Sequence, residues 1–277
     1  MKTKLLILSC VLLVVISCQT QKNTSNPISS IDNTRSSFRL MFYNAENLFD
    51  FEDDPNISDE EFTPEGTRYW SEFRYYQKLS NVYKVIVGVG EWDLPQIVGL
   101  AEIENKKVLE DLLKSTPLYK SDYKIIHFDS PDARGIDVGL LYRGDFFTPL
   151  IKRPIKITWP ASIGTGTTRD ILYVCGVTAN SDTLHIFVNH WPSRYGGQME
   201  TEGKRGYVAK LLKTKTDSIF DVNPRANIVI MGDLNDYPTD KSLNEGLKAQ
   251  NEFTKFKSNK LYNLSYYLQE VKKTRYK

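Results

Sequence analysis

Four apolar residues, a glycine and a closely spaced polar pair limit what this chain can become more than any other stretch does. Ile228-Val229-Ile230-Met231 are mostly β-branched and read as a buried strand. Gly232 breaks the run, and Asp233-Leu234-Asn235-Asp236 follow at once. Side chains two positions apart on an extended segment share a face, so Asp233 and Asn235 point the same way. A carboxylate there can accept a proton or polarise a water, and an amide can donate to an oxyanion without adding charge. Asn after a strand is also ordinary turn chemistry. The pair therefore takes its meaning from what else converges on it.

The same arrangement of apolar run and polar end recurs. Residues 38–43 are strand-like and are followed by Asn44-Ala45-Glu46-Asn47. Residues 96–101 form a second buried strand that ends on Glu102, and residues 184–189 lead into His190. Residues 123–128, 136–142, 155–159 and 171–177 read as further strands. Helical spacing appears over 72–89, where Phe73, Tyr76, Leu79, Tyr83 and Ile86 make a core-facing stripe. It appears again over 106–113 and over 200–220, where Val208, Leu211, Leu212 and Ile219 share a face; 239–248 reads as a short helix. Many strands separated by a few helices predict an α/β chain whose sheets carry helices on their outer faces. Polar groups at several strand ends, meeting on one rim, make a site, because rigid elements hold groups to the tolerance catalysis needs.

The first residues read as an export signal. Lys2 and Lys4 precede an apolar run from Leu5 to Ile16, too short to span a bilayer comfortably. The run ends in Val15-Ile16-Ser17-Cys18, which resembles a bacterial lipobox. The resemblance implies removal of residues 1–17, acylation of Cys18 and a membrane anchor. Gln19, which is not Asp, directs the expectation to the outer membrane of a bacterial envelope, facing the periplasm or the exterior. Residues 18–37 are rich in Ser, Asn, Thr and Gln and read as a flexible tether. Cys10 leaves with the signal, so an acylated Cys18 leaves Cys175 without an intrachain partner and excludes a disulfide framework. Cys175 itself reads as a buried, inert thiol.

Residues 38–277 are enough for one large domain. Beyond the signal the chain holds 34 Lys and Arg against 34 Asp and Glu, so it presents no overall basic field to nucleic acid. The charge is unevenly spread. Residues 46–65 hold nine acidic residues and no Lys or Arg, whereas 253–277 hold seven Lys and Arg against Glu270. The acidic run reads as a solvated loop, and beside a site it would repel a polyanion.

Taken together, Phe42-Tyr43-Asn44, Gly99-Leu100-Ala101-Glu102, Arg134-Gly135-Ile136-Asp137-Val138-Gly139-Leu140-Leu141-Tyr142, Val188-Asn189-His190-Trp191-Pro192-Ser193-Arg194 and Gly232-Asp233-Leu234-Asn235 resemble, in order, the motifs of the endonuclease/exonuclease/phosphatase superfamily, the deoxyribonuclease I-like fold. The resemblance covers residue 38 to about 240. It implies a four-layer sandwich of two packed β-sheets flanked by helices, and cleavage of phosphate esters with Mg²⁺, with Mn²⁺ able to stand in. Glu102 is similar to the family's metal-ligating glutamate and Asn44 to the asparagine beside metal and phosphate. Asp233 is similar to the aspartate that orients or deprotonates the attacking water, and Asn235 to the amide that stabilises the phosphorane-like oxygens. His190 resembles the histidine on the scissile phosphate, with Asp137 expected as its orienting carboxylate. Arg134, Arg194 and Arg205 are expected to grip phosphate oxygens. His127 and His185, inside strand runs, read as structural; Trp191 could stack on substrate or pack beside the site.

The sequence departs from that pattern at its end. The family's last strand carries a Ser-Asp-His-like motif, whereas the three histidines here all precede the central motif. The chain is thus expected to be a C-terminally truncated member that lacks its last strands. A monomeric, envelope-anchored phosphoesterase acting on nucleic acid, a nucleotide or sugar phosphate, or a phospholipid head group is the leading expectation. A degenerate domain serving only as a surface binding protein is the alternative.

Overall fold

The computed structural model describes residues 38–91 and 93–275. The signal over 1–17, Cys18 and the tether over 18–37 lie outside them. The elements run β1 (Leu40–Leu48), α1 (Glu72–Gly90), β2 (Ile97–Ile103), α2 (Lys106–Ser115), β3 (Tyr123–His127), β4 (Asp137–Arg143), β5 (Phe147–Ile155), β6 (Ile171–Thr178), β7 (Thr183–His190), α3 (Gln198–Val222), β8 (Asn227–Asp233) and α4 (Leu264–Arg275). A single π-type turn over Ser242–Leu247 stands where a short helix over 239–248 is expected.

Two four-stranded sheets result, in the orders β1-β2-β4-β3 and β5-β6-β7-β8. Each is mixed. β1 and β2 pair parallel, as do β7 and β8, and every other pairing is antiparallel. Parallel neighbours need a crossover, and α1 and α3 supply the two. Ile97, Ala101, Val138 and Leu140 of the first sheet interlock with Leu172, Val174, Ile186, Val188 and Met231 of the second, forming the inner core. The outer face of the first sheet is covered by α1 and α2 through Tyr75, Leu79, Val82, Ile86, Leu109 and Leu112. The outer face of the second is covered by α3 and the π turn through Val208, Ala209, Leu212, Leu243 and Leu247. Helices, sheet, sheet, helices: these are the four layers the family resemblance implies.

Three local expectations need correction. The buried stripe of α1 is Tyr75, Leu79, Val82 and Ile86, while Phe73 is 77% and Tyr76 42% exposed. The helical period holds but its phase is rotated, because aromatic residues line both candidate faces and Tyr75 is fixed inward by donating to Asp111 at 2.9 Å. The strand expected over 155–159 is instead β5, which ends at Ile155. Its Pro149 and Pro154 argue against a strand in sequence, but an edge strand tolerates missing donors, and β5 is an edge. The acidic stretch 46–65 is not simply a solvated loop, since Asp50 and Asp59 are buried. Asp50 pairs with Lys107 of α2 at 3.0 Å.

Candidate active site

Parallel pairing makes β1 and β2 end together, and β7 and β8 end together. β1 lies against β8 across the inner core, so all four C-terminal ends share one rim. Asn44 spans it. Its Nδ2 donates to Glu102 Oε1 at 3.0 Å and to Asp233 Oδ2 at 3.1 Å, joining a carboxylate of one sheet to a carboxylate of the other. Its Oδ1 accepts the Glu46 N–H at 2.8 Å.

Backbone strain collects here. Glu46, Asn47, Glu102 and Asn235 have φ of 55°, 63°, 58° and 53°, a region non-glycine residues seldom occupy and that clusters at functional sites. In β2 the left-handed Glu102 coincides with a register shift between Ala101 and Ile103. That bulge re-aims the carboxylate from the sheet face toward the rim. Asn47 N–H then holds Glu102 Oε2 at 2.9 Å. Gly232 lets β8 close on β7: at φ 154° an added Cβ would stand 2.3 Å from the Asn189 carbonyl oxygen. Asn189 completes the junction by donating to Phe187 and Met231 carbonyls.

His190 is buried, with Nε2 3.6 Å from Glu102 Oε1. Burial, and then the nearby charges of Arg169 and Arg134, press its pKa down to about 3, so the imidazole is neutral. Asn235 donates from Nδ2 to the Trp191 carbonyl at 3.0 Å, and its N–H donates to Asp233 Oδ1 at 3.0 Å. Trp191 is fully buried and donates from Nε1 to Asn189; it is packing, not a stacking platform. Alongside the rim, a cleft of ≈ 410 Å³ is lined by Asp233, Asn235, Tyr237 and Pro238 among others.

The structure brings Asn44, Glu102, His190, Asp233 and Asn235 together. Other expected residues sit elsewhere. Asp137 does not orient His190: it faces His127 Nε2 at 3.1 Å and accepts the Ser130 N–H at 2.9 Å. Arg205 is fully buried, 2.7 Å from Asp236, and also bonds Thr201. Arg194 is bound to Asp236 at 3.0 Å, to Asp240 and to the Asn235 carbonyl. Arg205 is enclosed away from any phosphate, and Arg194, which lines the cleft, is already paired with two carboxylates; both fasten the segment after β8. Arg134 is the expected arginine that stays exposed, its Nε 3.4 Å from Asp132. His185 shares a hydrogen bond with the Tyr173 hydroxyl, and Cys175 is buried with its thiol pushed up by burial.

Residues without a motif also reach the site. Lys78 of α1 donates to the Glu46 carbonyl at 3.2 Å, and burial pulls its pKa down. Arg169 and Asp132 form a buried pair at 3.2 Å beneath Arg134. No sequence signal marks them, because each acts across elements far apart in the chain.

A divalent cation fits the donor set. Glu102 and Asp233 offer hard oxygen ligands, while Asn44 turns its Nδ2 toward both. Among the described residues, neither Glu102 nor Asp233 has a cationic partner at ion-pair distance, since His190 is neutral. The group His127, Asp129 and Asp137 also offers ligand atoms within 4.8 Å of one another. There Asp129 faces Nδ1 and Asp137 faces Nε2.

A family model described as Endonuclease/Exonuclease/phosphatase family matches residues 39–277. No curated protein sequence matches the chain. Among solved structures it is similar to Caenorhabditis elegans TDP2, at 19% identity and a TM-score of 0.46, covering 60% of this chain and 44% of that one. It is also similar to a Bacteroides thetaiotaomicron mannosyl-6-phosphatase, at 16% identity and a TM-score of 0.50, covering 76% and 70%. An Enterococcus faecalis protein matches at 10% identity and a TM-score of 0.50, covering 76% and 71%. The chain spans 44% of the nematode protein and 58% of its truncated form, less than two thirds of either. At such identities the likeness concerns the fold.

Proposed function

The chain belongs to the endonuclease/exonuclease/phosphatase family of hydrolytic phosphoesterases, and from that premise we propose that it hydrolyses phosphate esters with Mg²⁺, or Mn²⁺ in its place, at the Asn44–Glu102–Asp233 rim. The observation that carries this reading is the Asn44 amide, which ties two carboxylates from separate sheets, neither with a cationic partner among the described residues, into one constellation. Glu102 would hold the cation, with Asn44 beside metal and phosphate through the amide that faces both carboxylates; when bound, the cation would polarise a phosphoryl oxygen and offset developing charge. Asp233 positions the attacking water and accepts its proton. Asn235 keeps a second amide hydrogen beyond the one given to Trp191, which would donate to the charge that grows on the phosphoryl oxygens. Neutral His190 serves as a hydrogen-bond donor. Arg134 supplies the exposed fork for a non-bridging oxygen.

Arg194 and Arg205 are engaged internally, and exposed acidic residues of 46–65 lie next to β1. Both favour a compact phosphate ester, such as a nucleotide, sugar phosphate or lipid head group, over long duplex DNA. Acylation at Cys18 with a tether over 18–37 would hold the domain at a bacterial envelope membrane, the outer one on the strength of Gln19. Cys18→Ser should then release the protein from membranes into the supernatant; retention in the pellet after a salt wash would refute the anchor.

The test is phosphoester release from a bis-aryl phosphate, nucleotides, plasmid and sphingomyelin, with Mg²⁺ and with chelator. Asp233→Ala should lower turnover by about 10²–10⁴-fold. Metal-dependent turnover unchanged in that variant would sink the assignment. Absence of turnover in the parent chain on every substrate would favour a binding domain.

A further inference from the structure

Beyond the catalytic rim stands Arg169, the last residue but one before β6. It is 5% exposed. Its Nη2 donates to the Trp191 carbonyl at 2.7 Å, and its Nη1 donates to Asp132 Oδ2 at 3.2 Å. Both partners reach onward into the site. The Trp191 carbonyl is the same oxygen that receives Asn235 Nδ2, and Trp191 N–H donates to the Asp233 carbonyl at 2.9 Å. Asp132 Oδ1 accepts the Arg134 N–H at 3.1 Å and pairs with Arg134 Nε at 3.4 Å. One guanidinium therefore joins the loop that carries Arg134 to the strand ends that carry His190, Asp233 and Asn235.

We propose that Arg169 is a positioning residue that sets Arg134 and Asn235 against each other, so that one phosphate group meets both. It does not touch substrate. This rests on the reading of Arg134 and Asn235 given above. The joint needs two donors in a fixed plane pointing two ways, which a guanidinium has and an ammonium lacks. Stability alone does not account for it. A buried ion pair is weak evidence of stabilisation, and the Arg169 Nε–H meets no acceptor among the described residues. The loop has its own attachment as well, through Ile136 packed with Phe49 and Phe62 and Ser58 N–H on the Ala133 carbonyl. Arg169 thus adds orientation to a loop already anchored elsewhere.

The experiment uses the full chain and measures two things. One is inorganic phosphate affinity by calorimetry in chelator, and the other is kcat and KM on a bis-aryl phosphate with Mg²⁺. The variants are Arg134→Ala, Arg169→Lys and the double variant. Arg134→Ala should weaken phosphate binding roughly tenfold, the scale of one charge-assisted contact. Arg169→Lys should weaken it equally, and the double variant should be no worse than either. Arg169→Lys should also lower kcat, through Asn235, on the order of 10²-fold, whereas Arg134→Ala acts mainly on KM. Asp132→Asn keeps the side-chain shape and should reproduce the weakened phosphate binding, which covers the case in which Arg169→Lys fails to fold. If Arg134→Ala leaves phosphate affinity unchanged, the phosphate reading falls and this proposal with it. If Arg134→Ala weakens binding while Arg169→Lys and Asp132→Asn only lower the melting temperature, or if the effects add, the positioning role is overturned and the reading of Arg134 stands.

Discussion

Asp236 has 2% of its side chain exposed and receives Arg205 at 2.7 Å, Arg194 at 3.0 Å and the Ser242 hydroxyl at 2.5 Å. It is the counter-charge for two of the three arginines expected on phosphate, Arg194 and Arg205. Removing one partner of a buried pair leaves an uncompensated charge, which costs roughly 3–5 kcal/mol. Asp236→Asn should accordingly lower the denaturation midpoint by that scale, while KM of the folded fraction stays within about twofold, as expected when no substrate contact is lost. A tenfold rise in KM at unchanged stability would return the arginines to the substrate. The contrast explains what was legible residue by residue. Asn44, Glu102, His190, Asp233 and Asn235 are fixed by their places at strand ends, which apolar runs reveal. An arginine's role depends on which carboxylate reaches it through space. Nothing in the spelling of Arg194 distinguishes the exposed Arg134 from the enclosed Arg205.

At the scale of elements, the informative feature is the end of β2 and the acidic loop packed against it. Strand alternation around 101–104 is broken by the left-handed Glu102, and Glu104 is then carried into the interior at 5% exposure. Burial is the main cause that pushes its pKa up to about 8; the charges of Asp50 and Asp59 add to it, and the Asp50 N–H and Lys107 oppose it. The ordinary value is 4.5. Between 4.5 and about 8 the folded protein therefore keeps a proton that the unfolded chain releases. Stability from this group is greatest below that window and declines as pH rises through it. Glu104→Gln can still accept the Asp50 N–H, and it should flatten the decline and stabilise the protein at pH 9 by on the order of 1–2 kcal/mol. Urea midpoints at pH 5 and pH 9 measure this; an equal slope in parent and variant would contradict it. Sequence could mark residues 46–65 as acidic but not as inward-folding. The apolar Phe49 and Phe62 that pull the loop down onto Ile136 are spaced without helical or strand period.

Across the whole molecule, two mixed sheets place their parallel pairs where β1 meets β8, and the constellation exists only while the sheets stay packed. The alternation of strands and helices made helices outside sheets readable, and the two-sheet layering came from the motifs' family resemblance. The phase of α1 and the proline-bearing edge β5 were not readable, because both are decided by neighbours distant in sequence. Since Glu102 and Asp233 belong to different sheets and are joined by Asn44, a cation held there binds the folded state and not the unfolded one. Linkage then requires it to stabilise the entire domain, by about 2.7 kcal/mol at a hundredfold excess over its Kd. For a domain of this size that corresponds to roughly 5–10 °C in melting temperature. Titrating Mg²⁺ or Mn²⁺ into the chelator-treated protein should show this rise, and Glu102→Gln should remove most of it. An unchanged shift in Glu102→Gln would mean that the ion sits elsewhere, with the His127, Asp129 and Asp137 group the next place to look. The magnitude separates the two sites as well. Asp129 is 89% exposed in its side chain, so a cation there would exchange with solvent on the protein surface and couple weakly to the packing of one sheet on the other.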